Sequence, residues 1–262
     1  MALLFVVLLL CSLGLGAGSA AGGYSAGGPQ SPFANTQSPS DTGFGNIESE
    51  SFEADRTLFS ISVRENGSAE WQFRYEQRLE SDSATRDFEA YADRFNSEET
   101  ESFRNFRDRA VALTLTGSDA VDRNMTAEAF RRDARIEERG PAGEEFAIVE
   151  MSFVWTRFAE TDGERVVVGD VFAGGLYIGP DQRLRIERGS GLRFQSAAPE
   201  PDSMAAETLP ESETITWIGE VQFADRQPRV VFVQRVNSAP TGTETETTQP
   251  ENTPGSVTPF LA

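Results

Sequence analysis

The spacing of apolar residues changes period twice along this chain, and that change limits the fold more than any other feature. In TLFSISVRENGSAEWQFRYEQRL, Phe59, Ile61 and Val63 alternate with polar neighbours, as do Trp71, Phe73 and Tyr75 after Glu65-Asn66-Gly67. Period two places one row of side chains on one face of a strand, and an Asn-Gly pair between two such runs predicts a β-hairpin. The period then lengthens. Ala84, Phe88, Tyr91, Ala92, Phe95, Phe103, Phe106, Ala110 and Leu113 recur at helical spacing, with Asn96-Ser97 expected to end one helix and cap a second. This aromatic stripe is expected to pack helix on sheet.

Alternation then returns. MTAEAFRRDARIEER fits a helix at Ala127, Phe130 and Ala134, but is read as a strand: Phe130, Arg132, Ala134 and Ile136 share a face, and GPAGEE is a turn. In FAIVEMSFVWTRF, residues Ala147, Val149, Met151, Phe153 and Trp155 alternate. Further strands are expected at 165–168, 171–178, 183–187, 214–223 and 229–233, with a long polar loop at 195–212 around Pro199, Pro201 and Pro210. The sum is an α+β fold: an antiparallel β-sheet of several hairpins with one or two helices packed on one face.

Charge narrows what such a fold can do. The 262 residues carry 42 acids against 23 bases, a net charge of −19, and every base is arginine; there is no lysine or histidine. An acid excess with arginine in place of lysine suits a protein working in multimolar salt, where the Debye length falls to ~3 Å or less and self-repulsion is screened. It argues against a nucleic-acid partner, which would need a basic patch. Without histidine, and with Cys11 the sole cysteine, Ser-His-Asp and Cys-His catalysis and the usual zinc sites are excluded. No cofactor, metal or catalytic residue is assigned.

GDVFAGGLYIGPDQRLRI, residues 169–186, invites a nucleotide reading. Gly169, Gly174, Gly175 and Gly179 match neither GxGxxG nor a P-loop, and no lysine exists to reach a phosphate. Gly179-Pro180-Asp181-Gln182 is expected to join two strands, and Gly174-Gly175 to mark a bulge or a close backbone approach. Glu160-Thr161-Asp162-Gly163-Glu164 lacks the full calcium-loop pattern and reads as a hairpin turn; Asp170 is the acid most worth checking.

Four segments follow from composition. Residues 1–21, opening MALLFVVLLLCSLGLG, match a signal-peptide core or an N-terminal anchor, although no positive charge precedes the apolar run. Leu10 before Cys11 makes a poor lipidation site. Residues 22–53 read as a disordered leader, 54–236 as the folded head, and 237–262 as a stalk rich in Thr, Glu and Pro. Asn66-Gly67-Ser68 and Asn124-Met125-Thr126 are sequons, so Asn66 and Asn124 are glycosylation acceptors if the chain is exported.

The order of the ENGSAEW hairpin, DFEAYADRF, FVWTRFAE, the GDVF…GGLYIG segment and TITWIGEVQF resembles a haloarchaeal family of uncharacterised exported domains, over most of 54–233. In many of its members a transmembrane helix and a winged-helix module follow the exported domain; in this sequence neither follows the stalk. The resemblance implies an extracytoplasmic sensing or interaction head and carries no catalytic residues. The expectation is therefore a non-enzymatic domain at a halophilic cell surface, binding an unidentified protein or cell-envelope component, with Trp155, Phe158, Asp170, Tyr177 and Trp217 as the candidate binding surface. The alternatives are an exported hydrolase using paired carboxylates and the sensor half of a split membrane-bound regulator.

Overall fold

A computed structural model describes residues 54–235. The leader or anchor, the segment to residue 53 and the stalk lie outside the described residues.

The alternating runs form β1 (Arg56–Val63) and β2 (Ala69–Arg78), an antiparallel hairpin in which Phe59 faces Phe73 and Ile61 faces Trp71. Two helices follow. The hydroxyl of Ser81 accepts from the backbone N–H of Ala84 at the start of α1 (Asp82–Ser97). Ser97 is the last residue of α1 rather than a cap; Thr100 caps α2 (Glu101–Val121), accepting from the N–H of Phe103. Both caps satisfy donors that a helix N-terminus leaves without partners. Next come β3 (Ala127–Arg139), β4 (Glu144–Trp155), β5 (Glu160–Asp162) and β6 (Arg165–Val168). The strand reading of 127–139 holds, with a bulge between Glu128 and Arg131.

Three sequence readings need correction. Residues 171–178 are not a strand: only Tyr177–Ile178 form one, β7, because Gly169, Gly174 and Gly175 all hold positive φ and turn the chain. Val171, Phe172 and Leu176 are buried in these turns, so their apolar character reflects burial and not pleating. The 195–212 loop begins later, since β9 (Leu192–Ala198) occupies its first residues and β10 (Ser203–Met204) its middle. The 214–223 strand breaks at Gly219 (φ 80°) into β11 (Thr214–Ile218) and β12 (Val221–Gln222), which serve different sheets. The remaining strands are β8 (Gln182–Arg188) and β13 (Arg229–Gln234).

The architecture is α+β. A seven-stranded sheet has the order β10-β11-β8-β1-β2-β4-β3, a four-stranded sheet β5-β6-β13-β9, and β7 pairs with β12. The large sheet is mixed: β8 runs parallel to β1 although its other pairs are antiparallel. One face of it carries the core. Phe106 of α2 lies 5.4 Å from Phe73, 6.0 Å from Phe153 and 6.3 Å from Phe130, seating the helix across β2, β4 and β3. Further along, Ile61, Ile186 and Ile215 on that face join one core with Val166, Val168, Phe194 and Phe232 of the four-stranded sheet.

The edge strand β3 would expose unpaired backbone groups, a template for unwanted pairing. Asn96 at the end of α1 closes part of it: its Nδ2 donates to the carbonyl of Ala134 and its Oδ1 accepts from that residue's N–H, both at 2.8 Å. Asn96→Ala should lower the stability of the domain by about 1–2 kcal/mol, read from the urea midpoint. It should also raise the dimer fraction in sedimentation, while the conservative Asn96→Gln falls between the two.

Candidate functional site

Trp155, Phe158 and Trp217, expected at a binding surface, are 1%, 0% and 2% exposed. Their rings are core. Trp155 sits 5.4 Å from Trp71 and donates through Nε1 to the sulfur of Met125; Trp217 packs edge-on against Phe223 and donates to the carbonyl of Glu200. Large rings at alternate strand positions bury most apolar area when turned inward, and that outweighs their use as platforms. Asp170 is held in a fork: Arg123 donates to both its carboxylate oxygens, at 2.6 and 3.2 Å, and also to the carbonyls of Arg157 and Phe158. This ties the end of α2 to the loops after β4 and β6, a positioning role. Tyr177 stands apart, its hydroxyl donating to Glu220. The five candidates do not assemble into one site.

The glycine segment is turn geometry. A Cβ on Gly175 (φ 87°) would lie 2.2 Å from the carbonyl oxygen of Phe223, so the backbones touch where the sequence placed a bulge or close approach. Gly179 to Gln182 makes the turn into β8. Gly175→Ala combines a strained φ with a collision against backbone and should cost roughly 2–4 kcal/mol. Thermal denaturation of the variant tests this.

Asn66 and Asn124 are both exposed and lie at the same end of the large sheet, where Ala69 and Ala127 both stand in register with Trp155. An open depression of about 440 Å³ beside them is lined by Asn66, Arg123, Arg157, Ala159 and Thr161. Among the described residues no group of three acids is placed to hold a metal ion, and no helix is long and apolar enough to cross a membrane.

The surface that sequence reasoning missed is the second face of the seven-stranded sheet. Strand alternation that turns Phe73 and Phe153 inward turns Arg74 and Glu150 outward. Arg56, Arg64, Arg74, Arg78, Arg131, Arg135, Arg139, Arg183 and Arg185 project here against Glu70, Glu76, Glu128, Asp133, Glu137, Glu144, Glu150 and Glu187. Arginine thus matches acid on this face, on a chain with 42 acids to 23 arginines.

Over β2, β3 and β4 these charges form a lattice. Arg74 donates to Glu76, Glu137 and Glu150; Arg135 to Asp133, Glu137 and Glu150; Arg139 to Glu76 and Glu137. The planar guanidinium serves several carboxylates at once, which an ammonium does less well. Beneath it Ile148, flanked in register by Glu76 and Arg135, is 0% exposed though it lies on the polar face. Arginine stems can cover apolar surface in this way while their heads stay wet.

Burial by itself pushes the Glu137 carboxyl upward, but hydrogen bonds from Arg74, Arg139 and Arg135 overcome it and hold the group at about 2, below its ordinary 4.5. Glu76 and Glu150 are lowered by the same balance of burial against arginine hydrogen bonds. A depressed carboxyl stabilises the fold above its unfolded value and loses that contribution as pH falls through the folded one. Stability should therefore decline from about pH 4.5 toward pH 2, and Glu137→Gln should flatten the decline in urea titrations followed by circular dichroism at constant KCl.

Residues 60–192 match the family described as Domain of unknown function (DUF7345). The chain belongs to this family. The matched span runs from β1 to the first residue of β9 and includes both helices and β8. No curated protein matches the chain. Among solved structures, baculovirus P35 in a mutated, caspase-cleaved form is 10% identical, with 68% of this chain and 93% of that one covered and a TM-score of 0.15. Baculovirus P35 itself gives 10%, 70%, 91% and 0.17. No shared fold follows from scores this low.

Proposed function

We propose that this DUF7345 domain is a non-catalytic recognition module that works outside the membrane in concentrated salt and meets its partner through the open face of the seven-stranded sheet. One observation carries the reading: arginine matches acid on that face, while the chain as a whole carries a net charge of −19. A face kept only for solubility in brine would share the chain's acid excess. Here the guanidiniums are held on strands, which position side chains more firmly than loops do. The apolar leader supports an extracytoplasmic setting, and the acid-rich, lysine-free composition supports concentrated salt.

The test uses the full chain in the cells that make it. Protease added to intact cells in multimolar salt should digest the domain, and a photo-crosslinking residue at Gln72, in the middle of the open face, should capture a partner. The same residue at Val111, on the exposed side of α2, should capture none. Recovery of the undigested chain from the cytosol, or equal capture from both positions, would overturn the proposal.

A further inference from the structure

Among the described residues, half-buried arginines are almost all engaged. Arg74, Arg135 and Arg139 sit in the carboxylate lattice, Arg123 holds Asp170, and Arg188 reaches Ser212 and Glu213. Arg132 lies 4.8 Å from the centre of the Phe103 ring. Two on β8 differ. Arg183 has no hydrogen-bond or ion-pair partner among the described residues. Arg185 makes one long contact, 3.9 Å to Glu187, and its Nε is buried with no hydrogen-bond partner. Glu187 takes the Ser62 hydroxyl on Oε2 at 2.7 Å and holds Oε1 3.9 Å from Arg185, beyond hydrogen-bond distance. With the Arg185 side chain 39% exposed, this pair retains donor capacity on a chain rich in acids.

The surroundings specify the ligand. Register places Gln72, Ser60, Arg185 and Thr216 in one row across four strands, and Leu58, Arg183 and Ile218 in the next. With strands about 4.8 Å apart, the first row spans roughly 14 Å and offers the Gln72 amide and the Thr216 hydroxyl, with Ser60 buried beneath. Ile218 borders the second row as an exposed apolar side chain. Guanidiniums that can fork onto an oxyanion, a line of neutral hydrogen-bonding groups and an apolar border complement a sugar chain bearing acid groups. An extended peptide pairs through its backbone with the open groups of a sheet edge, and a row of side chains on the face of a sheet offers no such edge.

We infer that Arg183 and Arg185 form an oxyanion subsite for an acidic oligosaccharide lying along the Gln72–Thr216 row. This rests on the open face being the recognition surface and names what it recognises.

The test titrates the full chain in 2 M KCl with oligogalacturonate, with neutral maltooligosaccharide of equal length, with polyglutamate and with inorganic sulfate, followed by NMR and calorimetry. Oligogalacturonate should bind, shifting the Arg183 and Arg185 side-chain signals, and Arg183→Ala with Arg185→Ala should weaken it at least tenfold. Arg193→Ala, at an exposed position on β9 of the four-stranded sheet, should leave it within twofold. Sulfate should bind more weakly at the same two arginines. Equal binding of maltooligosaccharide, preference for polyglutamate, no binding of oligogalacturonate, or unchanged affinity in the double variant would each overturn the assignment. If oligogalacturonate fails while the Gln72 crosslink persists, the ligand class is wrong and the recognition face stands; loss of both removes the face as well.

Discussion

A sheet of seven strands has two faces, and this domain has helices and a second sheet enough for one. The uncovered face must therefore be made stable by its own side chains. Arginine and glutamate at alternate positions of β2, β3 and β4 do this by interlocking above Ile148, so that an apolar residue on the wet side is as hidden as one in the core. Glu76, Glu137 and Glu150 each meet two or three guanidiniums, and such shared contacts persist in strong salt better than isolated surface pairs, because short hydrogen-bonded geometry is less screened than distant charge. The absence of lysine and the openness of the sheet are thus connected.

The same alternation decides where function can lie. Once aromatic side chains are committed inward, as Trp71, Phe153 and Trp155 are, the outward positions inherit the chemistry available for recognition. The lattice uses most of it. What is left concentrates on β8, where the parallel neighbour β1 supplies serines and a leucine instead of acids. Binding capacity here is a remainder: the donors that the structure does not consume.

Much of the fold was legible because hairpins and helices are local. The β1–β2 pair, the aromatic stripe of both helices, and the strands at β3, β4, β6, β8 and β13 follow from spacing alone. Three things were not. The parallel pairing of β1 with β8 joins residues more than a hundred apart and leaves no local mark. Val171, Phe172 and Leu176 are buried without being in strands, since turns can bury side chains too. The open face was less legible because charged side chains at alternate positions read as an ordinary solvated surface, although Arg74 with Glu76, Arg135 with Glu137 and Arg183 with Arg185 show in the sequence the same two-residue beat as the core, displaced by one.

The position of β13 has a consequence for how the domain is made. Strands β6 and β9 do not touch as partners; β13 stands between them and bonds to both. Among the described strands, synthesis delivers β13 last. Until residues 229–234 emerge, the β5–β6 hairpin and β9 have no strand to join them, and Val166, Val168 and Phe194 lack the neighbour that completes their layer. The last of the described strands thus closes the smaller sheet, and a polypeptide cut short of it would present a bare greasy flank to whatever chaperone or protease waits there.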